Sequence, residues 1–95
     1  MRPLDNIALR IIKEQELVIG PLAWSEAQKV QGIKVVNAKN GDVRLENGDP
    51  MGIVDNLVAQ YEKLFGRASH EVCKEAVADL VASFPREEIP MSLRA

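Results

Sequence analysis

The single histidine and single cysteine of the chain, His70 and Cys73, are the residues whose types and spacing could do chemistry. Three positions apart on a helix, an imidazole and a thiol share one face, as in a thiol/imidazole enzyme or half of a metal site. However, Cys73 lies in the middle of an apolar stripe, where a free cysteine behaves as a small apolar residue. The sequence has no further histidine or cysteine to complete a metal site. We favour a structural role and keep an enzyme using His70 and Cys73 as one alternative.

A second candidate site lies in the turn 66–69, where Arg67 and Ser69 are placed to bind an anion. We expect Ser69 to begin a helix, because serine is a preferred N-cap residue. The N–H groups of a helix N-terminus bind phosphate and carboxylate groups, and Arg67 would add a positive charge. On this interpretation the protein is a sensor of an anionic small molecule, which Arg67 or Lys34 would contact between a β-hairpin and two helices.

Other motifs of catalysis and cofactor binding do not occur in the sequence. No pair of glycines has the spacing of a phosphate-binding loop or a dinucleotide fingerprint. The acidic segment 37–49 does not fit a calcium-binding EF-hand loop, because aligning Gly41 or Gly48 with the invariant glycine places a valine at the first ligand position. We therefore expect no catalytic residues, no metal and no cofactor.

Two amphipathic helices must position both candidate sites. Asp49 and Pro50 supply an N-cap and a first helical residue, Gly66 ends this helix, and a second helix runs from Ser69 to Phe84. We expect an antiparallel pair packed face to face, because apolar residues recur at the helical period on one side of each helix. The two stripes are Ile53, Val54, Leu57, Val58, Tyr61, Leu64 and Phe65, and then Val72, Cys73, Ala76, Val77, Leu80, Val81 and Phe84.

The first part of the chain predicts another amphipathic helix. Asp5 is the expected N-cap, and the helix runs to about Glu16 before Gly20 and Pro21 end it. The segment 17–19 has two interpretations, a last helical turn or a short strand, because its β-branched residues suit a strand equally well.

A short helix over residues 25–30 should follow, since Ser25 and Gln28 have capping-box spacing. Trp24, just before the cap, is expected to pack over this helix as a hydrophobic staple. It has two interpretations, a lid on the core or an anchor for a partner, because tryptophan is enriched at the centres of interfaces.

A β-hairpin is predicted around Asn40 and Gly41, a dipeptide that favours a two-residue turn. Its strands are 33–36 and 42–46. The register stays open, with Leu45 opposite either Val36 or Val35. The elements follow the order α-α-β-β-α-α, so the fold class is α+β: an N-terminal helix, a short helix, a β-hairpin and a two-helix antiparallel hairpin.

Composition limits the functions open to this chain. A formal net charge of -2, from 12 basic and 14 acidic residues spread along the sequence, attracts neither nucleic acid nor anionic lipid. No segment approaches the ~20 apolar residues of a membrane span. A single cysteine and the lack of a leader-like pattern favour the cytoplasm.

The sequence therefore predicts a small cytoplasmic interaction or regulatory module that acts by self-association or partner docking. Residues 1–84 are expected to form one domain, and residues 85–95 an extended tail with apolar side chains at alternate positions. A monomer would leave this tail, one hairpin edge and an off-stripe leucine unused, so we expect a homodimer. The predicted interface residues are Leu9, Trp24, Ile89, Met91 and Leu93.

Overall fold

A computed structural model describes residues 2–37 and 41–94 of the chain. The described residues form the predicted α+β order α-α-β-β-α-α, followed by two 3-10 turns. The elements are α1 (Pro3–Ile19), α2 (Leu22–Gln28), β1 (Ile33–Asn37), β2 (Asp42–Leu45), α3 (Pro50–Phe65), α4 (Arg67–Val81) and the 3-10 turns Arg86–Glu88 and Met91–Leu93.

Helix α1 begins earlier than predicted. Arg2 is the N-cap and Pro3 the first helical residue, so Asp5 lies in the first turn and the prediction of Asp5 as N-cap is wrong. Pro3 favours this start because its fixed φ suits the first helical position. The Asp5 carboxylate instead accepts a hydrogen bond from the Arg2 backbone N–H, 3.2 Å from Oδ2. A second bond, from the Leu45 N–H at 3.1 Å, ties α1 to the end of β2.

At its other end α1 continues to Ile19, so the segment 17–19 is helical and the strand interpretation is wrong. Gly20 ends the helix with φ 73°, and its N–H donates to the Glu16 carbonyl at 2.8 Å. A positive φ of this kind favours glycine, as the sequence indicated.

Helix α2 starts at Leu22, three residues before the predicted cap. The carbonyls of Gly20 and Pro21 accept hydrogen bonds from the N–H groups of Ala23 and Trp24, at 3.0 and 3.1 Å, so the helix begins directly after Pro21. Ser25 therefore lies inside the helix. Trp24 does too, and the predicted staple does not form.

Strands β1 and β2 pair in a register that neither sequence alternative anticipated. Leu45 is opposite Ile33, and Val35 is opposite Val43. A bulge between Val35 and Asn37 shifts the pairing near the turn, because one extra residue of β1 is accommodated there. Of the predicted turn residues, Asn40 lies outside the described residues, and Gly41 has φ 68°.

Helix α3 confirms the sequence prediction at both ends. The Asp49 side chain accepts a hydrogen bond from the Met51 N–H at 3.3 Å, Pro50 is the first helical residue, and Gly66 follows the last one. Helix α4 departs from it, because it starts at Arg67 instead of Ser69 and ends at Val81.

The helices α1, α3 and α4 pack on one another, with α2 and the hairpin against α1. Their facing side chains make one hydrophobic core, in which the largest fully buried residues include Tyr61, Ile7, Ile11, Ile12 and Leu57. The C-terminal segment, residues 85–94, lies against α3 and α4 and forms two 3-10 turns instead of the predicted extended tail. Its Pro90 and Leu93 side chains are buried.

Candidate functional site

Cys73 is fully buried, and its environment opposes a nucleophilic role. Burial raises the pKa of the Cys73 thiol to about 11, although Gln15 Nε2 donates a hydrogen bond to Sγ at 3.3 Å. A catalytic thiol needs exposure and a lowered pKa. The site around Cys73 therefore has the properties of packed core.

Two contacts hold the His70 ring, and neither of them involves Cys73. Its Nε2 lies 2.6 Å from the Ser92 carbonyl oxygen, and its Nδ1 lies 3.3 Å from a Glu62 carboxylate oxygen. Because a carbonyl only accepts, Nε2 carries the hydrogen and donates it. Both ring nitrogens are thus engaged with α3 and the C-terminal segment, and His70 has a positioning role for that segment.

The contacts of Ser92 complete this attachment. The Asp55 Oδ1 atom accepts hydrogen bonds from the Ser92 N–H at 2.9 Å and from the Ser92 hydroxyl at 2.5 Å. Together with the bond to His70, every polar group of Ser92 has a partner on α3 or α4. Satisfied backbone groups allow the irregular segment to pack against the two helices.

The two predicted anion-binding residues differ in exposure. Arg67 is exposed, whereas Ser69 is buried inside the first turn of α4. The Ser69 N–H donates to the Gly66 carbonyl at 3.1 Å, and its own carbonyl accepts from Gln15 Nε2 at 3.0 Å. Since the helix starts two residues earlier than predicted, the N–H groups after Ser69 do not form a helix N-terminus.

The five predicted interface residues differ widely in exposure. Met91 is 72% exposed, and Leu9 and Ile89 are partly buried against the core. Trp24 and Leu93 are 8% and 4% exposed, and Trp24 Nε1 donates to Glu16 Oε2 at 2.8 Å. The core interpretation of Trp24 thus describes its position, while contact of these residues with a partner stays a prediction.

A different group of large apolar side chains is exposed, and we name it the apolar end. Its members lie in the last turn of α1, at the first residue of α2 and in the last turn of α3. They are Leu17, Val18, Leu22, Leu64 and Phe65, and their exposed fractions run from 81% for Leu17 to 37% for Phe65.

Hydrogen bonds bring these helix ends together. Trp24 bonds to Glu16 and so holds the start of α2 beside the end of α1. The Tyr61 hydroxyl donates to the Ala23 carbonyl at 2.7 Å, which places the last turns of α3 beside the start of α2. Leu22 directly precedes Ala23, and Phe65 lies one turn beyond Tyr61. Leu22 and Phe65 therefore lie next to this contact, on the side of the helix ends.

The surroundings of the connecting glycines show that this end is open. Among the described residues, no atom beyond their chain neighbours approaches within 4 Å of the Cβ position at Gly20 or Gly66. By contrast, a Cβ at Gly32 would lie 2.5 Å from an Ile53 side-chain carbon. The apolar end is therefore covered by no other element in the described chain.

This surface was not predicted from the sequence, because Leu64 and Phe65 belong to a stripe that was expected to be buried. Helical periodicity identifies the face of a helix that turns inward, but not how far the neighbouring helix extends along it. One signal was present. Gly20 and Gly66 each end an amphipathic helix whose apolar stripe runs to its last turn.

Two buried polar side chains, Tyr61 and Glu26, connect α2 with α3. Burial raises the pKa of Tyr61, whose hydroxyl is satisfied by Ala23. Hydrogen bonds from Lys29 and from Gln60, both at 2.8 Å, lower the pKa of Glu26 and hold its carboxylate between α2 and α3. These contacts fix α2 in place and therefore fix Leu22.

In the part of the chain that the structure describes, no three His, Cys, Asp or Glu side chains are grouped to hold a metal ion. Nor is any helix of residues 2–37 and 41–94 both long enough and apolar enough to span a bilayer. No family model matches this chain, and neither a curated protein nor a solved structure is significantly similar to it.

Proposed function

We propose that this protein is an interaction module that self-associates through its apolar end and has no catalytic activity of its own. The observation that carries the proposal is the exposure of five large apolar side chains at three adjoining helix ends. Their exposed fractions correspond to a patch on the order of 500 Å², near the upper limit for the largest apolar patch on a monomer. Apolar patches of this size on a monomer are often functional.

The area suits a second copy of the chain. A standard interface takes about 800 Å² from each partner, with an apolar centre and a polar rim. The apolar end would supply the centre, and charged residues of both signs adjoin it. Lys63 and Arg67 lie on the side of α3 and α4, and Glu14 and Glu16 on the side of α1.

A two-fold axis through the apolar end would bring the exposed apolar side chains of the two copies together. The interface of a symmetric dimer uses the same surface of both copies in this way. The dimer would be a small cytoplasmic assembly, since its lone, buried Cys73 contributes no disulfide.

Sedimentation equilibrium at micromolar concentration tests the proposal. We expect a dimer for the wild type and a dissociation constant raised at least about tenfold by Leu17→Glu, because a carboxylate would be buried in an apolar interface. Leu17 is 81% exposed, so this change should leave the fold intact. Met91→Glu, at another residue with 72% exposure, is the matched control and should leave association unchanged.

A wild-type chain that sediments only as a monomer would contradict self-association and leave the apolar end to a different protein. Equal weakening by Met91→Glu and Leu17→Glu would instead move the interface toward the C-terminal segment, which contains three of the interface residues predicted from the sequence. Normal association of Leu17→Glu would remove the apolar end from the interface.

A further inference from the structure

The two outer edges of the β-hairpin differ in how many of their backbone groups have hydrogen-bond partners. The register and the bond from the Glu46 N–H to the Gly32 carbonyl, at 2.7 Å, establish which backbone groups point outward. Hydrogen-bonded and non-hydrogen-bonded pairs alternate in an antiparallel ladder. The pair Lys34 and Arg44 therefore exchanges hydrogen bonds, whereas the backbone groups of Val35 and of Leu45 point away from the partner strand.

On β2 this outer edge is occupied. The Leu45 N–H donates to Asp5 Oδ1 at 3.1 Å, and the Arg2 guanidinium donates to the Leu45 carbonyl. Helix α1 packs against the same strand. No further strand has access to the edge of β2 at Leu45.

On β1, which helix α2 contacts, backbone groups at the centre of the outer edge have no hydrogen-bond partner in the described chain. The Ile33 N–H donates to the Val30 carbonyl at 3.2 Å, but in residues 2–37 and 41–94 no hydrogen bond reaches the Ile33 carbonyl or either backbone group of Val35. Val36, beside them, is 45% exposed. Unpaired groups on an edge strand are a template for an added strand.

The outer face of the hairpin also carries two like charges directly opposite each other, with the carboxylates of Asp42 and Glu46 at alternate positions on either side of Arg44. Lys34 and Arg44 are directly opposite each other and both exposed, and like charges in this arrangement destabilise a sheet. Within the described chain neither side chain forms an ion pair. A carboxylate on an added strand, opposite Lys34, would lie within about 5 Å of it, the distance between directly paired side chains.

We propose that the outer edge of β1 binds an extended acidic segment of a partner protein by strand addition. Three backbone groups would be paired, and an acidic residue of the segment would neutralise Lys34. A second copy of β1 fits less well, because antiparallel pairing centred on Val35 places Lys34 opposite the copy's Val36 and leaves its charge unpaired. This surface is separate from the apolar end, so the inference does not depend on self-association.

The probe is the blocked peptide Thr-Val-Glu-Val-Thr, titrated into the full chain and followed by the backbone amide signals of Ile33 and Val35. In an added strand its glutamate would share the face of Lys34, and its valines the opposite face. We expect saturable shifts at millimolar peptide and affinity at least about tenfold lower for the same peptide with lysine in place of glutamate.

Two variants test which basic side chain the peptide glutamate contacts. Lys34→Glu should reverse the preference between the two peptides, and its fold should persist because the new carboxylate faces Arg44 across the ladder. Arg44→Glu is the matched control; it changes the same charge one strand further from the edge and should have the smaller effect. A glutamate peptide N-methylated at alternate amides tests the backbone hydrogen bonds to β1. Methylation removes the N–H donors along one edge of the peptide, so this edge cannot pair with a strand.

Lack of binding at millimolar peptide would overturn the inference, as would equal binding of the glutamate and lysine peptides. Binding of the N-methylated peptide with unchanged affinity would show that strands do not pair there. If instead Arg44→Glu outweighs Lys34→Glu, the peptide lies over the sheet face and not at its edge.

Discussion

The C-terminal segment and the apolar end both carry large apolar side chains, but the chain buries Leu93 of the first and leaves all five of the second exposed. In the C-terminal segment Leu93 is 4% exposed, and all polar groups of Ser92 are bonded to Asp55 and His70. At the apolar end Leu17 and Val18 remain 81% and 64% exposed.

The difference follows from the backbone. An irregular segment can be buried only if its N–H and C=O groups find partners, so packing of the C-terminal segment requires the polar contacts of Ser92. In the last turn of a helix the N–H groups are bonded internally, and the free carbonyl groups are bonded by a cap, such as the N–H of Gly20 or Gly66, or by solvent. Apolar residues there can extend past the core at little polar cost, and such a surface is available to a partner.

The largest effect should come from Leu93→Ala, which removes buried side-chain atoms from the contact with α3 and α4. We expect a loss of about 2 to 5 kcal/mol in the free energy of unfolding, measured with denaturant. Met91→Ala, in the same 3-10 turn but exposed, should change it by less than about 0.5 kcal/mol. Equal effects of the two changes would show that the C-terminal segment does not contribute to the core, and the contrast between the two regions would fail.

A smaller effect tests whether the core beneath the apolar end is sealed from water. The folded-state pKa of Cys73 is raised to about 11 from an ordinary value of 9.0, so the folded protein holds this proton more tightly than the unfolded chain. Its contribution is complete below pH 9 and is lost as the pH rises toward 11. At pH 10 the loss should be about 1 kcal/mol.

Denaturant unfolding of the wild type and of Cys73→Ala at pH 8 and pH 10 measures this contribution. The wild type should lose more stability than the variant. Tyr61, whose pKa is raised mainly by burial and in part by Cys73, adds a loss of the same sign. If both proteins lose the same amount, solvent reaches Cys73 and the core is not sealed there.

Local signals in the sequence predicted some elements well. Asp49, Pro50 and Gly66 determine the two ends of α3 by backbone chemistry that needs no tertiary contact, and the structure confirms them. The starts of α2 and α4 were misplaced, because serine was taken as the cap in each case. There the chain re-enters a helix directly after Pro21 or Gly66, and Ser25 and Ser69 become interior residues.

Features that depend on distant residues could not be predicted from sequence. The hairpin register is set by the bulge after Val35 and by contacts of Leu45 with α1, neither of which appears in the alternation of the strands. His70 and Cys73 lie on one helix as predicted, but their partners, Ser92 and Gln15, are distant in sequence. The apolar end was missed for the same reason, since its exposure depends on where other helices stop.

The attachment of Asp5 to Leu45 has a consequence for the order of events in folding. This contact joins residues 40 positions apart, so a long loop must close before it forms, and an isolated hairpin is only marginally stable. We expect the helices to assemble first and the hairpin to dock after the rate-limiting barrier. Asp5→Ala should then accelerate unfolding roughly tenfold and leave the folding rate unchanged in stopped-flow experiments. A folding rate slowed by the same factor would place hairpin docking before the barrier.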